Sequence, residues 1–213
     1  MWAEPRCTLD QMSRPTFLPR AVRAAILTTT LVLCAGLLSA CSGGKDAVVQ
    51  GGGGDNAFVA STKIGSLIPV DKRKKAGTVS AELLSGGSWN SSSAAGKVLV
   101  LPYFASWCGP CQTETPQMQQ TYAEYQSKNV AFVGVDAKDP DKGKAQSWVE
   151  DKKLTFPVVY DMLARTVLQI GKIQSVLPMT IVLDKQQRIA AVYSGSVLPA
   201  DLTPVLDQLV SES

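Results

Sequence analysis

The 213-residue sequence predicts an α/β fold, a sandwich in which a mixed central sheet is flanked by helices. Three observations carry that expectation. Residues 97–105 and 130–136 are apolar runs of strand length, with a helical pattern between them, as expected for strands buried on both faces. Residues 180–183 and 189–193 flank a polar turn at 184–187 and read as a hairpin. The resulting order, β-α-β, then α, then β-β-α, gives one layered domain.

The elements follow in order. Residues 78–84 and 88–90, around Gly86-Gly87, suggest an N-terminal β-hairpin extension. The strand 97–105 leads through Pro110 into a helix to about residue 127, with Pro110 in the first turn, where a missing N–H costs nothing. Pro116 is expected to kink that helix. After the strand 130–136 come a polar-faced helix, 141–153, carrying Trp148, an extended segment, 156–160, and a helix, 162–170, ending at Gly171. A last helix opens after Pro199 and runs to about residue 210.

Composition removes whole classes of chemistry. The chain has no histidine, so no Ser-His-Asp triad, Cys-His dyad, histidine zinc site or C-x-x-C-H haem attachment can exist. Of 21 basic and 18 acidic residues, four and two fall in residues 1–40, leaving 17 against 16. A near-neutral remainder argues against nucleic acid as a partner.

Residues 1–40 read as an export signal. Arg14, Arg20 and Arg23 precede the uncharged apolar run 24–38. The run ends in Leu38-Ser39-Ala40-Cys41, followed by Ser42-Gly43-Gly44, which resembles the lipobox of bacterial lipoproteins. That resemblance implies cleavage before Cys41, a diacylglycerol thioether on its sulfur, and a membrane-anchored lipoprotein on the outer face of the cytoplasmic membrane. An uncleaved transmembrane helix is the alternative, since residues 24–44 carry no charge for 21 positions. Either way the remainder lies outside the cytoplasm, because the arginines stay on the retained side. Residues 41–75, with Gly51-Gly52-Gly53-Gly54 and the run Asp71-Lys72-Arg73-Lys74-Lys75, read as a flexible tether with a reach of about 30 Å. Residues 76–213 form the domain. The basic run reads as solvated linker, with contact to anionic headgroups as the alternative.

Five cysteines reduce to one pair. Cys7 and Cys34 lie in the segment expected to be removed and Cys41 takes the lipid, leaving Cys108 and Cys111 in Trp107-Cys108-Gly109-Pro110-Cys111. As a staple the pair is poor, because closing a four-residue loop contributes roughly 2 kcal/mol. A structural metal site wants four Cys or His ligands and finds two, so no metal is expected. A redox couple wants two sulfurs that bond and separate cheaply, which positions i and i+3 at a helix start provide. Helix N-terminal N–H groups favour a thiolate, holding the Cys108 pKa below its free value of about 8.5. Cys108 is thus expected as the exposed attacking sulfur and Cys111 as the deeper, resolving one.

Trp-Cys-Gly-Pro-Cys after a strand, with Leu177-Pro178-Met179-Thr180 opening another strand some seventy residues later, resembles the thioredoxin fold. More narrowly, it is similar to the membrane-attached thiol-disulfide oxidoreductases of the TlpA/ResA type, over about residues 75–210. The resemblance implies a thioredoxin-like sandwich and a cis peptide before Pro178, although base rates for X-Pro favour trans. It implies that Leu177 and Pro178 bind an extended client and that Trp107 shields the reactive cysteine, a plain core tryptophan being the alternative. It further implies that Glu114 is the acid three residues after the second cysteine. Desolvated beside the sulfurs, Glu114 would hold its proton to higher pH and take one from Cys111; otherwise it is a surface glutamate favoured by the helix dipole. Thioredoxins carry an acid six residues before the first cysteine, and TlpA-like proteins often an asparagine. Here Pro102 stands there, so the strand is expected to be irregular, with Glu114 as the one well-placed acid.

The implied function is reduction of disulfides in client proteins, cytochrome c cysteines among them in the family, with electrons from a membrane thiol donor. No Gly-rich dinucleotide motif is present and no cofactor is expected. The reverse direction, a disulfide-forming oxidase, remains open. So does a lipid-tethered copper chaperone using the two thiols. A peroxidase is disfavoured because the threonine-led cysteine motif of peroxiredoxins is absent.

Overall fold

The computed structural model describes residues 66–212; the expected export signal, the expected lipidation site Cys41 and most of the expected tether lie outside the described residues. The sheet runs β2-β1-β6-β5-β3-β7-β8, with β4 also on β3. These strands are β1 (Ser80–Leu83), β2 (Ser88–Asn90), β3 (Val98–Phe104), β4 (Val130–Phe132), β5 (Gly134–Ala137), β6 (Val158–Asp161), β7 (Met179–Leu183) and β8 (Ile189–Ser194). The helices are α1 (Cys111–Tyr125), α2 (Lys142–Asp151), α3 (Arg165–Ile170) and α4 (Pro199–Ser211). β3 pairs in parallel with β4 and β5 and antiparallel with β7, so the sheet is mixed, with the N-terminal hairpin added at β6.

Every residue of β3 is buried, and its side chains alternate between two apolar layers. Val98, Val100 and Phe104 join Met118 and Tyr125 of α1, Trp148 of α2, and Leu202 and Leu206 of α4. Leu99, Leu101 and Tyr103 join Val167 and Ile170 of α3. Each such buried side chain contributes about 1.5–3 kcal/mol, so this one strand anchors both layers.

The expected strand 130–136 is divided at Val133, and Pro102 supplies the reason. The Val133 N–H reaches the Val100 carbonyl, so the backbone polar groups of Val100, Pro102 and Phe104 face the β4–β5 side. Pro102 has no N–H to offer there, and the ladder resumes only at the Tyr103–Val135 pair. β3 itself is not irregular, contrary to expectation: Pro102 pairs in register with Thr180 of β7. The irregularity falls on the partner strand, while the register shift in β7–β8 lies between Val182 and Leu183.

Two other boundaries move. The helix expected from residue 162 starts at Arg165, because Ala164 sits at φ 50° and the Asp161 carboxylate accepts the Arg165 and Thr166 amides. The segment 66–75, expected as tether, packs on the body. Ile68 N–H reaches Ala190 O, and the Arg73 guanidinium is buried against Asp184 and Glu212. One arginine of an apparently solvated charge run has a buried carboxylate waiting for it, which charge composition alone does not reveal.

Candidate active site

β3 ends at Phe104, and residues 105–110 carry the chain to α1. Cys108 N–H closes a turn on Ala105 O, and Cys111 is the first residue of α1. The two sulfurs are bonded, with Cα atoms 5.3 Å apart. Pro110 at the N-cap offers no side-chain oxygen, so none competes for the first-turn N–H groups that face an anion at this end. Cys108 is 4% exposed and Cys111 0%, so the expected exposed sulfur is only the more accessible of two buried ones.

Trp107 is 58% exposed and does not belong to the core; its indole N–H donates to Lys138 O at 3.0 Å. Ser106, just before it, is held at both ends of its peptide environment. Its N–H donates to Asp139 Oδ2 and its carbonyl accepts from Gln112 Nε2, each at 2.9 Å. Gln112 is fixed in turn by Trp148 Nε1 at 3.0 Å. The Gln112 carbonyl, which Pro116 cannot engage for lack of an N–H, accepts from Lys152 Nζ at 3.3 Å. The cysteine loop is therefore pinned to α1, to α2 and to the segment after β5. Gly134 permits the close packing beneath it, since a Cβ there would lie 2.9 Å from both the Phe104 and Phe156 rings.

Glu114 lies one turn beyond Cys111 on α1 and is 6% exposed, so the surface alternative does not hold. Burial pushes its carboxyl up to about 7, with Ser196, the Val197 backbone and Thr180 pulling partway back. Neither Glu114 Oε2 nor Thr180 Oγ1 has a protein partner at full hydrogen-bond geometry. A carboxyl with that affinity exchanges protons near neutrality.

The Leu177–Pro178 peptide is cis. Met179 pairs with Tyr103, which sets Pro178 level with Phe104, four residues before Cys108. The Pro178 carbonyl accepts from Gly195 N–H at 2.9 Å, and Leu177 packs against the apolar layer that contains both cysteines. The structure thus gathers Trp107, Cys108, Cys111, Glu114, Leu177 and Pro178 around the carboxyl end of β3.

Two acids beside the site escaped the sequence reading. Asp139 is 1% exposed and anchors Ser106. Asp136, at 0% exposure, pairs with Phe104, and neither of its oxygens has a protein partner. Burial, with a smaller push from Asp139, raises its carboxyl to about 7. The available signal was an acid near the end of an apolar strand run, where a solvated loop start looks the same. Among the described residues, no group of three or more His, Cys, Asp or Glu is arranged to hold a metal ion.

Comparison with known proteins agrees with this geometry. The AhpC/TSA family matches residues 73–192. A thiol-disulfide oxidoreductase ResA from Geobacillus thermodenitrificans is 29% identical over 114 residues, 54% of this chain and 64% of the relative, so the chain spans less than two thirds of that protein. A DsbF homologue from Corynebacterium diphtheriae superposes with a TM-score of 0.65 at 34% identity, covering 68% of this chain and 92% of that one. A secreted thiol-disulfide isomerase from Corynebacterium glutamicum gives 0.69 at 29% identity, covering 76% and 100%. With its thioredoxin-like fold, and with more than half its length matched, the chain belongs to the AhpC/TSA family.

Proposed function

We propose that the protein is an extracytoplasmic thiol-disulfide oxidoreductase that reduces disulfides in client proteins. The observation that carries this reading is the Cys108–Cys111 disulfide at the start of α1, with a buried carboxyl one turn further on. The names of the relatives support the same chemistry.

In the reduced protein, the Cys108 thiolate attacks one sulfur of a client disulfide and displaces the other client sulfur as a thiolate, forming a mixed disulfide. Glu114 accepts the Cys111 proton, and the Cys111 thiolate then attacks Cys108. The Cys108–client bond breaks, the second client sulfur leaves as a thiolate, and both client thiolates take protons. Two electrons have passed to the client, and the protein holds the Cys108–Cys111 bond. Leu177 and Pro178 bind the client's extended chain and Trp107 covers the reacting sulfurs. A membrane thiol donor restores the dithiol, and Cys41 anchors the protein by its lipid after removal of residues 1–40. Cytochrome c cysteines are clients of the right chemistry.

The test is the reduction potential of the protein, measured with insulin reduction and alkylation trapping. A value close to the roughly −270 mV of thioredoxin, with catalysis, supports reduction; one close to about −120 mV makes the protein an oxidase. A bridge that dithiothreitol never opens, or tight copper binding without catalysis, overturns the reading.

A further inference from the structure

Glu114 and Thr180 face one another across the layer between α1 and the sheet. Thr180 is 0% exposed on β7, two residues beyond Pro178, and sits in register with Pro102 on one side and Tyr193 on the other. Thr180 Oγ1 and Glu114 Oε2 are both buried, and no protein atom completes their hydrogen bonding at full geometry. Buried polar atoms are rarely left alone, and Thr180 is the sheet side chain that acts on the Glu114 carboxyl, favouring its ionised form.

We propose that Thr180 is a positioning residue for Glu114, its hydroxyl holding the carboxyl in place through both protonation states. The inference rests on the reading of Glu114 as proton acceptor for Cys111. A hydroxyl suits the task because it donates to a carboxylate and accepts from a carboxylic acid, whereas the Val197 N–H serves only the ionised form. The other groups facing Glu114 are Ser196 and the Val197 backbone from the turn before α4, with Cys111 preceding it on α1, and none carries a formal charge in the oxidised protein. The nearby acid of α4, Asp201, acts on Tyr193 instead. Since β7 also begins beside the cis Leu177–Pro178 peptide, one strand links the client-binding residues to the proton acceptor.

The experiment is a titration of the Glu114 carboxyl by carbon NMR in the full chain, alongside the pH–rate profile of disulfide exchange. Thr180→Val removes the donor to the carboxylate, so both midpoints move upward by about half to one pH unit, and Thr180→Ser restores them. In a Glu114→Gln background, Thr180→Val leaves the rate profile where it was. Should the valine variant fail to fold, Thr180→Ala is read by the same titration. A Glu114 midpoint unmoved by loss of the hydroxyl overturns the proposal. If Glu114→Gln alone leaves the rate profile unchanged, it is the proton-acceptor reading that fails, while the carboxyl titration still decides the role of Thr180.

Discussion

Asp139 holds the Ser106 amide at 2.9 Å, tying the segment after β5 to the loop that presents Cys108. The carboxylate is 1% exposed, so its bond lies in a low dielectric and leaves an orphaned amide if removed. Asp139→Ala is expected to cost about 2 kcal/mol and to raise the hydrogen-exchange rate of Ser106 above that of its neighbours. Unchanged exchange at Ser106 rejects the anchor.

Gln112 holds the other side of the same residue, through the Ser106 carbonyl, and satisfies the Trp148 indole. Gln112→Ala strands two polar groups and is expected to cost about 1–3 kcal/mol. Because both anchors act on Ser106, the Asp139→Ala and Gln112→Ala effects should not add, with a coupling of about 0.5 kcal/mol or more. Denaturant unfolding of the two single variants and the double measures this, and strict additivity shows the anchors to be independent.

The balance between what the sequence revealed and what it concealed follows from the range of each interaction. The order of strands and helices and the cysteine pair are local patterns, and periodicity and spacing made them legible. Glu114 was legible as a position, and as a buried acid only beside a surface alternative, because the groups that bury it lie on β7 and the Ser196–Val197 turn, far away in sequence. Arg73 was misread for the same reason: its partners, Asp184 and Glu212, lie more than a hundred residues downstream. Pro102 warned correctly of a broken ladder and wrongly of which strand would break. Missing N–H groups are local, but the strand that loses the bond is a neighbour in space.

Asp136 makes stability depend on pH. Its folded carboxyl holds its proton to about 7 against an ordinary 3.8. Between those values the folded chain binds more protons than the unfolded one, so this stability is full below about pH 4 and is lost as pH rises through 7. Glu114 adds to the same slope, from 4.5 to about 7. Asp136→Asn is expected to flatten the fall in stability between pH 5 and 8 by about 2 kcal/mol. Equilibrium unfolding at the two pH values decides it; a variant with the wild-type slope shows that Asp136 is ionised throughout.

Arg73 binds the segment before β1 to the end of the chain. Its side chain is 1% exposed and Asp184's is 2%, while Glu212 completes the site and Arg188 supports Asp184 at 2.7 Å. Arg73→Met keeps the aliphatic bulk and leaves Asp184 buried with Arg188 as its remaining ion-pair partner, at an expected cost of about 3 kcal/mol. The Glu212 carboxyl is held below its ordinary value of 4.5 mainly by Arg73. Its contribution is therefore present above that value and disappears as pH falls through the lowered one, and the variant should lose this acid-side dependence. Thermal unfolding at pH 3 and pH 7 measures both effects, and a stability loss confined to pH 3 contradicts them.

Cys111 is fully buried and Cys108 slightly exposed, and in the proposed mechanism this gives the two sulfurs different steps. On that reading an incoming disulfide meets Cys108 first, because its sulfur is the more accessible of the pair. Resolution would then fall to Cys111, fully buried and one turn before Glu114 on α1. Cys111→Ser removes the second attack while leaving the first, so incubation with a disulfide-bearing peptide should accumulate a covalent adduct visible by mass spectrometry and released by dithiothreitol. Cys108→Ser leaves only the buried sulfur, and adduct should form at least about a hundredfold more slowly, the equivalent of about 2.7 kcal/mol in barrier. Equal trapping by the two variants means that either sulfur can be attacked from outside and that burial does not order the reaction.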